Sequence, residues 1–253
     1  MSLNPEHLAP RDSILARRDA RWRLAAFALA IFGTALLRTP GPSAAALCLA
    51  LLFVWIGRVP GRWYRDRITI LLLALIPFLV VAPFTVDRGE RLWEWRFLHL
   101  TDVGLLFAVT LAMKTVALVT LALTLLSSAP LHVTLAAARK LGVPRLLVQL
   151  TLLTYRYVFL LLDELGRLRI ALRVRGFRNA MTAHAYRTVG QVTGTLLVRG
   201  SDRAEHVAQA MRCRGFDGHF HTLIAFRTRP ADVLMFVWIV GVAGGLVAWD
   251  LCR

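Results

Sequence analysis

Apolar residues in this chain fall in long runs, not in alternation. LAAFALAIFGTALL (24–37) and AAALCLALLFVWIG (44–57) flank a short RTPGP turn. ITILLLALIPFLVVAPFTV (68–86), VGLLFAVTLAMKTVALVTLALTLL (103–126) and VLMFVWIVGVAGGLVAW (233–249) follow. Runs this long and this free of charge predict membrane-crossing helices, which need about 20 apolar residues. The first two are short for a span. They fit as a tight hairpin if Trp22, Arg38, Trp55 and Arg58 reach the headgroups; two re-entrant segments are the other reading. Pro77 and Pro83 are expected to kink the third run, at a cost that neighbouring helices relieve.

Between the fourth and fifth runs the pattern changes to helical spacing with mixed polarity. Residues 129–144 predict a short helix stopped by Gly142 and Pro144. From Arg145 to Phe177 there is no proline, and a long helix is predicted. Its front half, LLVQLTLLTYRYVFLLL, is apolar almost all round; its back half, DELGRLRIALRVRGF, is heavily charged. Such a helix starts against membrane or other helices and ends in water. A second long helix is predicted over 184–214. The fold class is therefore all-α, with about five spans. The expected organisation is a four-span domain over 1–127, a cytosolic helical domain over 128–231 and a last span over 232–253.

Charge orients this layout. The chain has 253 residues, 57% hydrophobic, with a mean hydropathy of +0.58 and a net charge of +16. Residues 128–231 hold 16 Lys and Arg against five Asp and Glu, net +11. The N-terminal arm (Arg11, Arg17, Arg18, Arg21, Arg23) and the second loop (Arg58, Arg62, Arg65, Arg67) are also basic, whereas the first loop has Arg38 alone. The positive-inside rule puts the N-terminus and 128–231 in the cytosol and the C-terminus outside. The first 23 residues lack the short apolar core of a cleavable signal, so insertion is expected to rely on the spans themselves. Cys48, Cys213 and Cys252 have neither metal nor disulfide spacing and are expected to be small apolar fillers. No Gly-rich phosphate loop ending in Lys-Ser or Lys-Thr is present, so any ATP is hydrolysed by a partner.

One pattern is written twice. ALRVRGF (171–177) and AMRCRGF (210–216) lie 39 residues apart, and five of seven positions are identical. Each is predicted to end a long helix. Glycine accepts the left-handed backbone after a helix, and arginine in the last turn complements the helix dipole. A cap alone does not require Arg173 with Arg175, and Arg212 with Arg214. Arg175 and Arg214 are expected in the last helical position, beside bare glycines (Gly176, Gly215), so that each guanidinium projects beyond its helix. Arginine makes paired hydrogen bonds to carboxylates and carbonyls. Two equivalent tips imply two equivalent grooves on a dimeric partner.

These stretches, with LGVPRLL (141–147), YRYVFLLLDELGRLRIALRVRGF (155–177) and LVRGSDRAEHVAQAMRCRGFDG (197–218), resemble the transmembrane T component of energy-coupling factor transporters, most closely the cobalt-transport permease CbiQ family. That resemblance implies a non-catalytic subunit of a bacterial inner-membrane importer for cobalt or nickel, without a cofactor. Its coupling helices end in Ala-Arg-Gly signatures, each docking into one of two ABC-type ATPases, and a separate membrane S component binds substrate. The matching triplets are Val174-Arg175-Gly176 and Cys213-Arg214-Gly215; alanine is replaced in both.

Other residues carry weaker signals. Lys114 lies mid-span, where it pairs with an acid, snorkels, or packs inside the bundle. Asp163 and Glu164 are expected to pair with Arg167 and Arg169 along their own helix, and Asp202, Arg203 and Glu205 to do likewise. His219 and His221 lack further ligands for a metal. A vitamin such as biotin is the alternative cargo. A membrane-tethered binder of nucleic acid or anionic lipid would also use a +11 segment, but it gives no reason for paired Arg-Gly ends; nucleic acid is not an expected partner. An intramembrane enzyme would need convergent acids, histidines or a nucleophile, and none can be assembled.

Overall fold

The structure, a computed structural model, describes residues 18–85, 91–95, 98–178, 180–218 and 228–252. Eight helices are described: α1 (Ala20–Leu36), α2 (Pro40–Ile56), α3 (Gly61–Thr85), α4 (Asp102–Ser127), α5 (Leu131–Lys140), α6 (Arg145–Val174), α7 (Ala183–Cys213) and α8 (Pro230–Leu251). The protein is all-α apart from an antiparallel pair, β1 (Arg91–Trp95) and β2 (Leu98–Thr101), where the sequence suggested only a loop. The helix starts follow local chemistry. Asp19 caps α1 by accepting from the Arg21 amide (3.1 Å), Thr182 caps α7 by accepting from the Ala185 amide (3.3 Å), and prolines 40 and 230 open α2 and α8. Despite Pro77 and Pro83, α3 is one continuous helix.

The chain divides into two compact units, Met1–Gly142 with Ile224–Arg253, and Val143–Leu223. Helix α5 packs on α1 in the first unit.

The first unit is a bundle of α1, α2, α4 and α8, with α3 along α4. Its core is rich in small residues: Ala26, Ala30, Ala46, Ala50, Ala117 and Ala243 surround Phe27, Phe53, Leu121 and Ile239. Small side chains let helix backbones approach closely, the usual packing where lipid removes a hydrophobic driving force between helices. A Cβ placed on Gly33 of α1 would lie 3.7 Å from the Ala243 Cβ of α8. An aromatic chain, Phe27–Phe53–Trp238, joins α1, α2 and α8 with centroid spacings of 5.2 and 5.9 Å.

Polar contacts fix the directions of the helices. The Arg21 and Trp22 side chains reach the Thr228 hydroxyl, and Arg18 pairs with buried Asp232, so α1 and α8 begin together. They also finish together: Asp250 accepts from the Arg38 amide (2.8 Å) and the Thr39 amide (2.9 Å) in the α1–α2 turn. The two helices are therefore parallel. Tyr64, at the start of α3, bonds Thr120 near the end of α4 (3.0 Å), so those two run antiparallel.

Half-buried Lys114 donates to the Leu37 carbonyl at 3.1 Å. Leu37 is the C-cap of α1, and a helix C-terminus has orphan carbonyls and a partial negative charge. Of the alternatives the sequence left open, packing inside the bundle is the arrangement found, and the partner is a backbone oxygen.

Among the described residues, 103–127, 145–174 and 230–251 form helices long and apolar enough to cross a membrane. Helix α6 qualifies through its apolar front half, although the sequence reading assigns it to the coupling region.

Candidate functional site

The second unit holds both copies of the repeated heptad. Helices α6 and α7 have 30 and 31 residues, each about 45 Å long at 1.5 Å per residue. They run antiparallel and meet near their middles. The ideal Cβ of Gly200 lies 3.9 Å from Leu161 Cδ2, and Glu164 of α6 pairs with Arg199 of α7. Glycine at this crossing lets α7 approach the Leu161 side chain. At one end, Gln149 near the start of α6 donates to the Gly218 carbonyl beyond the end of α7 (3.2 Å).

Clefts open on either side of the crossing. One, of about 410 Å³, is lined mainly by apolar side chains, including Leu150, Leu153, Tyr157 and Met211. The other is flanked by Arg169 and Arg173 on α6, by Phe177 just beyond its end, and by Val189 and Val192 on α7.

The heptad ends are built alike. Helix α6 stops at Val174 and α7 at Cys213, so Arg175 and Arg214, expected as the last helical residues, are instead the C-cap residues one position further on. Gly176 (φ +77°) and Gly215 (φ +73°) take the left-handed conformation. The Gly176 amide donates to the Arg173 carbonyl and the Phe177 amide to the Leu172 carbonyl, each at 3.0 Å. In the second copy the Gly215 amide donates to Arg212 and the Phe216 amide to Met211, also at 3.0 Å. These paired bonds are the two of a Schellman motif. The residue after the glycine, phenylalanine in both copies, closes the outer bond through its amide. Leu172 and Phe177 line the same cleft, the apolar contact that accompanies such a cap.

What the cap does not use is arginine. Arg173, Arg175, Arg212 and Arg214 are all exposed and form no ion pair with a described residue. The cap bonds are all made by backbone amides, so they take up none of the five donors of either guanidinium. Val174 is 84% exposed and Cys213 is also exposed, so neither is the interior filler that the cysteine was expected to be. The same holds for Cys48 and Cys252, both exposed in this chain; apolar surroundings for them would come from lipid.

Elsewhere, the expected pairing of Glu164 within its own helix is present with Arg167 (3.9 Å), but its shorter contact is to Arg199 across the crossing. Among the described residues no group of three His, Cys, Asp or Glu side chains comes together as metal ligands. His219 and His221, like Arg11 and Arg17, lie outside the described residues.

A family model for CbiQ, cobalt transport protein, matches residues 11–223, spanning the first four apolar runs and both heptads. The chain belongs to the CbiQ family. It is 29% identical over 236 residues to the cobalt transport protein CbiQ of Rhodobacter capsulatus, covering 88% of this chain and 90% of that one. It is 24% identical over 219 residues to the energy-coupling factor transporter transmembrane protein EcfT of Acidaminococcus fermentans, covering 83% and 81%. Over 116 residues it is 32% identical to the nickel permease LarQ of Lactiplantibacillus plantarum, covering 44% and 42%. It is thus a membrane component of the cobalt and energy-coupling factor transport type, and its apolar helices agree with a place in the membrane.

Proposed function

We propose that this CbiQ-family chain is the coupling subunit of an ATP-driven importer in the bacterial inner membrane, with cobalt or nickel ions as cargo. Two ABC-type ATPases dock at the cytosolic face, one on each of the Arg175-Gly176 and Arg214-Gly215 tips. A separate S component in the membrane binds the substrate. The chain itself catalyses nothing and transmits force. The observation that carries this reading is the pair of matching Schellman caps, each presenting an exposed arginine that forms no ion pair with a described residue.

The physical role of each residue follows from that geometry. Arg175 and Arg214 supply donors that a carboxylate or carbonyl groove can pair in two places. Gly176 and Gly215 turn the chain back and leave no side chain beside the tip. Val174 and Cys213, in the place of the family's alanine, and Arg173 and Arg212, two residues before the tip arginines, form the rim. When the ATPases close on ATP, tips held in their grooves are carried along, and the long helices act as levers about the crossing; such rigid-element motion is a common switching mode. The bundle starts with the N-terminus in the cytosol, and 128–231 forms the coupling domain.

The cargo assignment draws on the family and on the cobalt and nickel transport named for its relatives. The test is an R175A/R214A double variant co-produced with the ATPase and S component. ATPase retained on the purified membrane complex should drop at least tenfold, and metal-ion uptake with it. Unchanged retention and uptake would refute the coupling role.

A further inference from the structure

Helix α2 ends with the same bond pattern as α6 and α7. The Arg58 amide donates to the Trp55 carbonyl (3.2 Å) and the Val59 amide to the Val54 carbonyl (3.3 Å), the two bonds of a Schellman motif. The residue in the left-handed position differs. After α6 and α7 it is glycine, whereas here it is Arg58, at φ +47°. Arg58 is the only non-glycine residue with a positive φ among the described residues. A side chain is disfavoured in that conformation and glycine is not. Gly57 stands one place too early to serve, with φ −72°. An arginine held where glycine fits better points to a use for its side chain outside the cap.

Three more arginines follow, Arg62, Arg65 and Arg67, against one acid, Asp66. None of the four arginines forms an ion pair with a described residue. Arg67 lies over the Trp63 ring, its guanidinium carbon 4.7 Å from the centroid. Arg62 and Arg65 are exposed on another face of α3. The Tyr64 hydroxyl bonds Thr120, so the Tyr64 side of α3 lies against α4. Residues 64, 68, 71 and 75 are partly buried along that side, in helical register. Arg62, Arg65, Thr69, Leu73, Ile76 and Val80 share the opposite side, and all are exposed. Thr69 donates its hydroxyl to the Arg65 carbonyl (2.8 Å), so it is satisfied inside the helix. The stripe thus begins with two guanidiniums and continues in apolar surface. From Arg65 to Ile76 it runs about 17 Å at 1.5 Å per residue, close to half of the roughly 30 Å hydrocarbon core, which is one leaflet. Charge at one end with one leaflet of apolar surface beyond it matches a phospholipid in order and in length.

We propose that Arg58, Arg62 and Arg65 form a binding site for an anionic phospholipid, with its phosphate on the three guanidiniums and an acyl chain along the stripe of α3 that ends at Val80. Arginine pairs phosphate oxygens in two places, and basic clusters beside a membrane helix attract anionic headgroups. Three arginines outnumber Asp66 at the site, which favours a headgroup of net negative charge over a zwitterionic one. The remainder of the α3 surface fits the same occupant, since among the helices α3 packs mainly on α4. The site belongs to the first unit and does not depend on the coupling role.

The test uses the full chain, purified in detergent and incubated with phosphatidylglycerol or with phosphatidylcholine of equal chain length. Native mass spectrometry reads the retained lipid. Phosphatidylglycerol should be retained at least fivefold more, and R58G/R62Q/R65Q should lower that retention at least tenfold. R58G alone removes the disfavoured side chain and keeps the cap. Its melting temperature should equal or exceed that of the parent, while lipid retention falls at least threefold. R67Q should hold the lipid within twofold of the parent, because Arg67 is engaged with Trp63. Soluble glycerol phosphate should not displace the lipid. Equal retention of the two lipids, parent-like retention by R58G or by the triple variant, or a lower melting temperature for R58G would overturn the proposal. So would an R67Q loss as large as that of the triple variant, which would reduce the effect to net charge. Displacement by glycerol phosphate would overturn it in favour of a site for soluble phosphate.

Discussion

The two units bury their apolar surface in opposite ways. In the bundle, Phe27, Leu121 and Ile239 are fully enclosed, alanines bring the helices close, and the polar ends of the α1–α2 turn are held by Lys114 and Asp250. In the α6–α7 hairpin, Leu146, Leu147, Leu197 and Val198 are each more than half exposed, and contact concentrates at one crossing. Exposed apolar surface on this scale marks contact with lipid or another protein. The bundle is closed within the chain, while the hairpin is left to be completed from outside. Long helices packed mainly at one crossing suit levers, because little internal packing opposes a pull on their tips.

Four changes would break or sharpen this contrast. The largest effect is expected at the tips. Replacing Gly176 or Gly215 by valine puts a β-branched residue at a positive φ, which costs about 1–3 kcal/mol and unwinds the cap. ATPase retention should fall at least tenfold, with little change in the thermal unfolding of the detergent-solubilised bundle. If the bundle melts earlier instead, the two units are not independent. Next, Gly33→Leu would push α1 off Ala243 and Val247. Overpacking of this kind costs about 1–3 kcal/mol and should lower the melting temperature without first weakening ATPase binding. Third, Lys114→Met leaves the Leu37 carbonyl without its donor. The expected loss is about 1–2 kcal/mol, seen as a smaller drop in melting temperature; an unchanged value would show that the carbonyl is satisfied without it. Smallest is Glu164→Gln, which weakens a partly exposed pair with Arg199. Less than about 1 kcal/mol is expected, so coupled uptake should be nearly unaffected.

Much of this was legible in the chain. Apolar runs located α1 to α4 and α8, because a membrane helix must be apolar along its length. The Gly142-Val143-Pro144 stop separated α5 from α6, and the arginine-glycine ends of α6 and α7 were found within one residue. That single residue matters chemically, since it makes Arg175 and Arg214 cap residues. The β1–β2 pair was missed because its short, charged segment has no clear alternation. The grouping of α5 with the bundle was missed because a short amphipathic helix fits either unit by sequence alone.

By itself, the sequence determined what one segment can state: helix type and length, the likeness of the two tips, the excess of arginine in 128–231. Each depends on neighbours along the chain, within the reach of a helical turn. Pairings across the chain were decided only by the tertiary structure. Lys114 meets Leu37, Asp250 meets Thr39, Glu164 meets Arg199, and Gly200 lies against Leu161. A lysine or a carboxylate can pair with many groups, and no local pattern selects one; packing selects it, by fixing which helix ends lie side by side. The repeated heptad joins the two levels. Its spacing was written in the sequence, but only the structure showed that both copies close with the same pair of backbone bonds around a left-handed glycine.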